Sequence, residues 1–238
     1  MTDRVESWLF DLRADDARLA DYVDLLAPDE QQRFEQIRHA RDKRAFAARR
    51  AQLRQVLSAV LDISPCDLLF DLNEFGKPSV RDGDGLSFNT SSSGDIGLCV
   101  VSLGVEIGCD IEQRDPAKAS VAIAERFFAP DERVDLAALG DDQWLEGFFN
   151  CWTRKEALLK CDGRGLSGDM GAFTVSLAPG APARVLSHDR YRVAAFRPSP
   201  DYHVAIVASS GSPLAFEAPH WWAPSDRDFA ERLQLTRA

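Results

Sequence analysis

No stretch of this 238-residue chain approaches the roughly 20 consecutive apolar residues that cross a bilayer, so no membrane segment is expected. The N-terminus, Met1-Thr-Asp-Arg-Val-Glu-Ser7, lacks both a basic leader and an apolar core and does not read as a signal peptide. Cysteine pairing signals are missing too. The five cysteines (66, 99, 109, 151 and 161) are an odd number without Cys-x-x-Cys spacing. They read as reduced, mostly buried thiols of a cytoplasmic protein and argue against zinc ligation. There is no cationic surplus: 28 Lys and Arg face 38 Asp and Glu, a formal net charge of −10. That argues against general nucleic-acid binding, which wants a basic footprint. The remaining composition, 45% hydrophobic and 28% charged, is that of an ordinary globular protein. It is long enough for one large domain or two small ones.

Along the chain, Ser7 to Leu12 reads as a first strand and residues 15–62 as helical, broken at Ala27-Pro28. A long helix from Arg41 to about Asp62 shows an apolar face of Phe46, Leu53, Val56, Leu57, Val60 and Leu61. A short strand ends near Asn73, and Glu74-Phe-Gly-Lys-Pro78 is a loop. Thr90-Ser-Ser-Ser-Gly94 reads as another loop, followed by two strands around a tight turn at Gly104. The second half repeats the order of helices then strands. Helices are expected over 119–128, 130–139 and 142–160, and strands over 173–177, 191–196 and 203–208. The likeness of the halves is one of element order, and no internal sequence repeat is detected. His188, His203 and His220 read as structural. The tail from Pro213, with Trp221-Trp222, carries no motif and is expected to fold back on the body.

Two stretches carry chemistry. In Val105-Glu-Ile-Gly-Cys-Asp-Ile-Glu112 the strand period places Val105, Ile107, Cys109 and Ile111 on a buried face. Asp110 and Glu112 then share the opposite row. Two carboxylates side by side repel unless a cation lies between them, and Mg2+, a hard ion that often uses only one or two protein carboxylates plus phosphates, fits that need. The alternative is an ordinary solvated strand face. In Phe148 to Lys160 the helical period aligns Trp152, Glu156 and Lys160 at i, i+4 and i+8, with Lys155 about a third of a turn away. Alone, Glu156 and Lys160 form an i,i+4 ion pair of roughly 0.2–0.5 kcal/mol. Beside Asp110 and Glu112, Glu156 becomes a third oxygen ligand and Lys160 a phosphate partner.

These stretches, in their order, resemble the 4′-phosphopantetheinyl transferases of the broad-range type, which serve peptide and polyketide synthases. The resemblance rests on Gly108-Cys-Asp-Ile-Glu112, on Phe127, Phe128 and Glu132, and on Trp152, Lys155, Glu156 and Lys160. Upstream, Phe75-Gly-Lys-Pro78 and Phe88-Asn-Thr-Ser91 match two further stretches, so the likeness runs from about Pro28 to Val207.

The resemblance implies an α+β fold of two pseudo-symmetric halves, 1–104 and 105–238. Each half is a small antiparallel-type sheet with a long helix, and the active site lies in the cleft between them. It implies transfer of the 4′-phosphopantetheine arm of coenzyme A to a serine of an acyl or peptidyl carrier protein, as served in fatty acid, polyketide and nonribosomal peptide synthesis. Asp110, Glu112 and Glu156 would hold Mg2+, Lys160 would support phosphate charge, and Glu156 or a metal-linked water would be the base. Coenzyme A contacts would come from Arg33, Arg44, Arg50, Gly76, Lys77, Pro78, Ser91, Ser92, Asp110, Lys155, Glu156 and Lys160, and Arg164 matches a further basic position. A monomer without nucleic-acid or membrane partners is expected. The acidic chain must concentrate cations for such anionic partners, and residues 33–54 hold eight cationic side chains against Glu35 and Asp42. One position departs from the family: relatives carry a phosphate-contacting histidine where this chain has Ser92, whose hydroxyl cannot carry positive charge. The rivals are another Mg2+-dependent phosphoryl-transfer enzyme and a non-catalytic coenzyme A or carrier-binding module.

Overall fold

The computed structural model describes residues 3–83, 85–163 and 169–223, so Arg164 lies outside it. Strand β1 (Asp3–Asp11) opens the chain, followed by α1 (Asp16–Asp24), α2 (Pro28–Gln36) and the 22-residue α3 (Ala40–Leu61). A small hairpin, β2 (Phe70–Leu72) and β3 (Pro78–Val80), leads to β4 (Leu86–Ser93), β5 (Ile96–Leu103) and β6 (Ile107–Gln113). Then α4 (Val121–Phe127), α5 (Pro130–Ala137) and a second 22-residue helix, α6 (Asp141–Asp162), precede β7 (Tyr191–Phe196) and β8 (Tyr202–Ser209). Two short strands, β9 (Leu214–Phe216) and β10 (His220–Trp221), close the described chain. Between 173 and 177 there is only an isolated bridge, Val175 to Val185, in place of the expected strand.

The fold is α+β. One sheet runs β10-β1-β5-β4, with β9 also on β1; the other runs β6-β8-β7 and is antiparallel throughout. Strand alternation gives each sheet two buried faces. Trp8, Phe10, Cys99 and Val101 pack with Phe46, Leu53, Val56 and Leu57 of α3. Ala205 and Val207 pack with Phe148, Phe149, Ala157 and Leu158 of α6. The remaining faces meet each other: Val5, Leu9, Leu98 and Val100 of the first sheet join Ile107, Cys109, Ile111, Val204 and Ile206 of the second. The turn at Gly104, whose φ of 70° favours glycine, therefore hands the chain from one sheet to the other rather than closing a hairpin. The described part of the tail, up to residue 223, folds back and joins the first sheet: β9 and β10 run parallel to β1, and Trp222 Nε1 donates to Gln55 on α3.

A short repeat escapes element-order reasoning. Ala-Pro-Asp-Glu occurs at 27–30 and again at 129–132, opening α2 and α5. In both copies the glutamate accepts the backbone N–H of its alanine, Ala27 to Glu30 at 3.1 Å and Ala129 to Glu132 at 2.8 Å. Each buried glutamate also takes a cation from the long helix that follows. Arg54 Nε lies 2.6 Å from Glu30, and Lys155 Nζ lies 2.7 Å from Glu132. Each cation then donates to two carbonyls beyond its helix, Arg54 to Pro65 and Leu68, Lys155 to Met170 and Phe173. The halves thus share a buried clasp as well as an order of elements.

Candidate active site

Strand β4 is the edge of the first sheet, and β6 runs beside it at the edge of the second. The seam between them is closed by side chains. Ser87, Asn89, Ser91 and Ser93, alternate residues on one face of β4, reach Glu106, the Cys109 N–H, Asp110 and Glu112 in turn. Thr90 to Ser93 is therefore strand, where a loop was expected; pairing with Ile96 to Cys99 of β5 supplies the backbone partners a loop would lack.

At the seam Ser91 donates to Asp110 at 2.7 Å and Ser93 to Glu112 at 2.8 Å. From α6, Lys160 Nζ approaches Asp110 Oδ1 to 2.6 Å and Ser91 Oγ to 3.1 Å. Asp110 of β6 is 3% exposed and Glu156 of α6 is 8% exposed, while Glu112 is half-buried and Glu106 lies in solvent, so the β6 row is covered only around Asp110. Burial raises the pKa of all three carboxyls. Lys160 and Ser91 oppose the rise at Asp110, while Asp110 adds to it at Glu112 and at Glu156. Burial works against the charge of Lys160, but Asp110, Cys109 and Glu156 together outweigh it and hold the ammonium above its usual range. Three carboxylates to one ammonium leave an anionic excess, and among the described residues the buried Asp110 Oδ2 has no hydrogen-bond partner. Among the described residues no three acidic, His or Cys side chains enclose a metal ion as they stand. The oxygen-only donor set and the orphaned Asp110 Oδ2 nevertheless suit a hard cation that draws its other ligands from a substrate's phosphates.

The opposite face of β4 serves a different neighbour. Ser92, between the two carboxylate-bound serines, accepts from Arg49 Nη1 at 2.9 Å. Arg49 stands on α3 beside a cavity of about 540 Å³ that Arg33, Arg49, Arg50, Arg54 and Arg81 line against Asp29 and Glu30. Burial, then the charges of Arg50 and Arg33, lowers the Arg49 pKa. Phe70, Gly76 and Pro78 complete part of the wall, with Arg50 4.9 Å above the Phe70 ring and Arg33 5.6 Å from Phe46. Arg49 was not among the expected contacts. Its signal was its position, next to Arg50 in a run that pattern alone could not register on the cavity.

Three expected contacts are placed elsewhere. Lys155 is fully buried, and its three donors are spent on Glu132, Met170 and Phe173. Lys77 likewise spends its ammonium on Glu106 and on the carbonyls of Ile107 and Cys161, strapping the β2–β3 hairpin to the end of α6. Arg44 pairs with Asp16 and the Ala14 carbonyl, in a separate hollow beside Arg41 and Asp95. Arg33, Arg50, Gly76 and Pro78 gather at the cavity; Ser91, Asp110, Glu112, Glu156 and Lys160 gather at the seam; Ser92 stands between.

Residues 106–207 match the model of the 4′-phosphopantetheinyl transferase superfamily. The 4′-phosphopantetheinyl transferase HetI of a Nostoc species is 33% identical over 214 residues, 89% of this chain and 90% of that one. The chain belongs to the 4′-phosphopantetheinyl transferase family. Similarity extends to the Bacillus subtilis transferase Sfp, 28% identical over 191 residues, which cover 79% of this chain and 84% of the relative. Membership makes the chain an enzyme, a phosphopantetheinyl transferase. The matched segment, 106–207, includes β6 and α6, which carry Asp110, Glu112, Glu156 and Lys160.

Proposed function

We propose that this transferase moves the 4′-phosphopantetheine arm of coenzyme A to a serine of an acyl or peptidyl carrier protein, with Mg2+ and with the broad carrier range of the synthase-activating type. The observation that carries the reading is the adjacency of two sites across one strand. Ser91 and Ser93 meet the carboxylates, and on the other side Ser92 meets Arg49, which lines the arginine-walled cavity. A polyanion seated among Arg33, Arg49 and Arg50 would present its pyrophosphate within reach of Lys160 and the carboxylates.

Asp110, Glu112 and Glu156 would hold the Mg2+, which would draw negative charge from the pyrophosphate and the leaving group. The serine oxygen would bond to the pantetheine-side phosphorus while the bond from that phosphorus to the bridging oxygen breaks. The electron pair leaves with 3′,5′-ADP. Lys160 would stabilise the charge that builds on the departing phosphate. Glu156, or a metal-linked water beside it, would take the serine proton. A binding module would have no need of two buried carboxylates and a half-buried third gathered at one seam, so catalysis is the better account of the cluster.

The test is to incubate the protein with coenzyme A, Mg2+ and a purified apo carrier protein and to weigh the carrier by mass spectrometry. A phosphopantetheine adduct that requires Mg2+ is expected. Release of 3′,5′-ADP without an adduct, or an adduct formed equally in excess chelator, would overturn the reading.

A further inference from the structure

Helix α6 bears Glu156 and Lys160 on the face turned to the seam, and two other contacts decide how close that face comes. The first is at Gly108. Its backbone is not in the left-handed region, so conformational freedom is not why glycine stands there. The reason is space: a Cβ on Gly108 would lie 2.2 Å from the Ala157 carbonyl oxygen, 2.2 Å from the Cys161 nitrogen and 2.7 Å from the Lys160 carbonyl carbon. All three are backbone atoms of α6 and cannot turn aside as a side chain could. The helix therefore rests directly on β6, two residues before Asp110.

The second contact grips α6 from another side. Lys155, next in sequence to Glu156, is fully buried and holds Glu132 of α5 at 2.7 Å and the Met170 and Phe173 carbonyls at 2.6 Å each. Glu132 in turn accepts the Ala129 N–H at 2.8 Å and the Val175 N–H at 2.7 Å. One buried ion pair thus ties α6 to the start of α5 and to the 170–175 segment at the level of Glu156. Between these two contacts, Lys160 Nζ stands 2.6 Å from Asp110.

We infer that Gly108 and Lys155 are positioning residues for the transfer reaction, Gly108 setting the distance between α6 and β6 and Lys155 setting the turn of α6 that carries Glu156. The inference rests on the seam being the reacting site. Displacing catalytic groups by about 1 Å costs on the order of 100-fold in rate, and adding a methyl at Gly108 must move α6 by at least that scale. Because both residues act through the placement of one rigid helix, their effects are not independent.

The experiment measures kcat and KM for coenzyme A, with a purified apo carrier protein as acceptor, in the Gly108→Ala, Lys155→Met and double variants. Lys155→Arg, Asp110→Ala and the core truncation Leu177→Ala are measured alongside, all well below their thermal midpoints. Gly108→Ala and Lys155→Met are each expected to lower kcat at least tenfold with KM for coenzyme A changed less than threefold. The double variant should fall little below the worse single one, and Lys155→Arg, which restores the charge pair, should recover most of the loss. Leu177→Ala should lose stability with kcat kept. Should Lys155→Met not fold, Gly108→Ala against Leu177→Ala decides alone. A Gly108→Ala enzyme with kcat within twofold of wild type, or a loss matched by Leu177→Ala at equal stability, overturns the inference. An active Asp110→Ala enzyme would instead remove the seam as the reacting site, a distinguishable failure.

Discussion

Lys160 and Asp110, on a helix and a strand from the same half of the chain, meet at 2.6 Å across a seam that Ser91 of the other half completes. Two effects of removing Asp110 oppose each other. Removing Asp110 relieves Glu112 and Glu156, but it also strips a largely covered ammonium of its nearest anion. Asp110→Asn is therefore expected to lower stability by about 1–3 kcal/mol, the scale of a hydrogen bond to a charged group. Turnover should fall about 100-fold or more, since the variant removes preorganised charge from the site. Urea unfolding and carrier loading at saturating Mg2+ check both, and wild-type turnover would dismiss the assignment.

Glu156→Gln separates proton transfer from binding. The amide keeps the side chain's size and one oxygen but loses the charge and the basic site. Turnover should drop at least ~100-fold, the low end of a general-base contribution, while the dissociation constant for coenzyme A moves much less. Single-turnover loading of an apo carrier, compared with calorimetric titration of coenzyme A, reads the two apart. Equal small effects at both would leave Glu156 a structural glutamate of the seam with no part in proton transfer.

The clasp in the first half makes a pH prediction. Glu30 is buried, which by itself raises its pKa, but the Arg54 hydrogen bond and the charges of Arg50 and Arg54 win and hold it below the ordinary 4.5. A folded-state pKa below the unfolded one means that the unfolded chain binds more protons at acid pH. The contribution is complete above about pH 4.5 and drains away as the pH falls through the folded value. In Glu30→Gln, unfolding stability at pH 7 should be lower and its acid decline below pH 4.5 shallower than in wild type. Urea midpoints from pH 7 down to pH 3 measure both, and parallel curves would refute the assignment.

What could be read from the sequence divides along physical lines. Asp110, Glu112, Glu156 and Lys160 were legible because strand and helix periods bring them to one face, whatever the rest of the fold does. The α+β class and both long helices were legible for the same reason. The destinations of Lys77, Lys155 and Arg44 were not, because a lysine or arginine goes where distant carboxylates and carbonyls are delivered. Glu132 and the Phe173 carbonyl reach Lys155 only through the packing of α5 and the 170–175 segment. The serine run illustrates the same limit: three consecutive serines look like a loop, but pairing with β5 makes them strand and sends Ser91 and Ser92 to opposite sides.

That division recasts the role of Ser92. Reasoning from the resemblance alone, replacing the family histidine by a hydroxyl loses a positive charge, and Ser92→His should tighten coenzyme A binding, more at pH 6 than at pH 8. Arg49, 2.9 Å from the hydroxyl, changes the expectation, because a guanidinium already supplies charge at this place. An imidazole introduced beside it would have its pKa pushed down by the like charge and would stay neutral through that pH window. Ser92→His should therefore bind coenzyme A with an affinity that differs less than twofold between pH 6 and pH 8. Arg49→Met should weaken binding roughly 10- to 100-fold, the worth of a charge-assisted bond, and flatten its salt dependence. Ser92→Ala, which only frees the guanidinium to wander, should cost roughly two- to tenfold. Calorimetric titration of coenzyme A into the three variants decides between the accounts: if Arg49→Met leaves the affinity intact while Ser92→His tightens it at pH 6, the missing charge was never replaced.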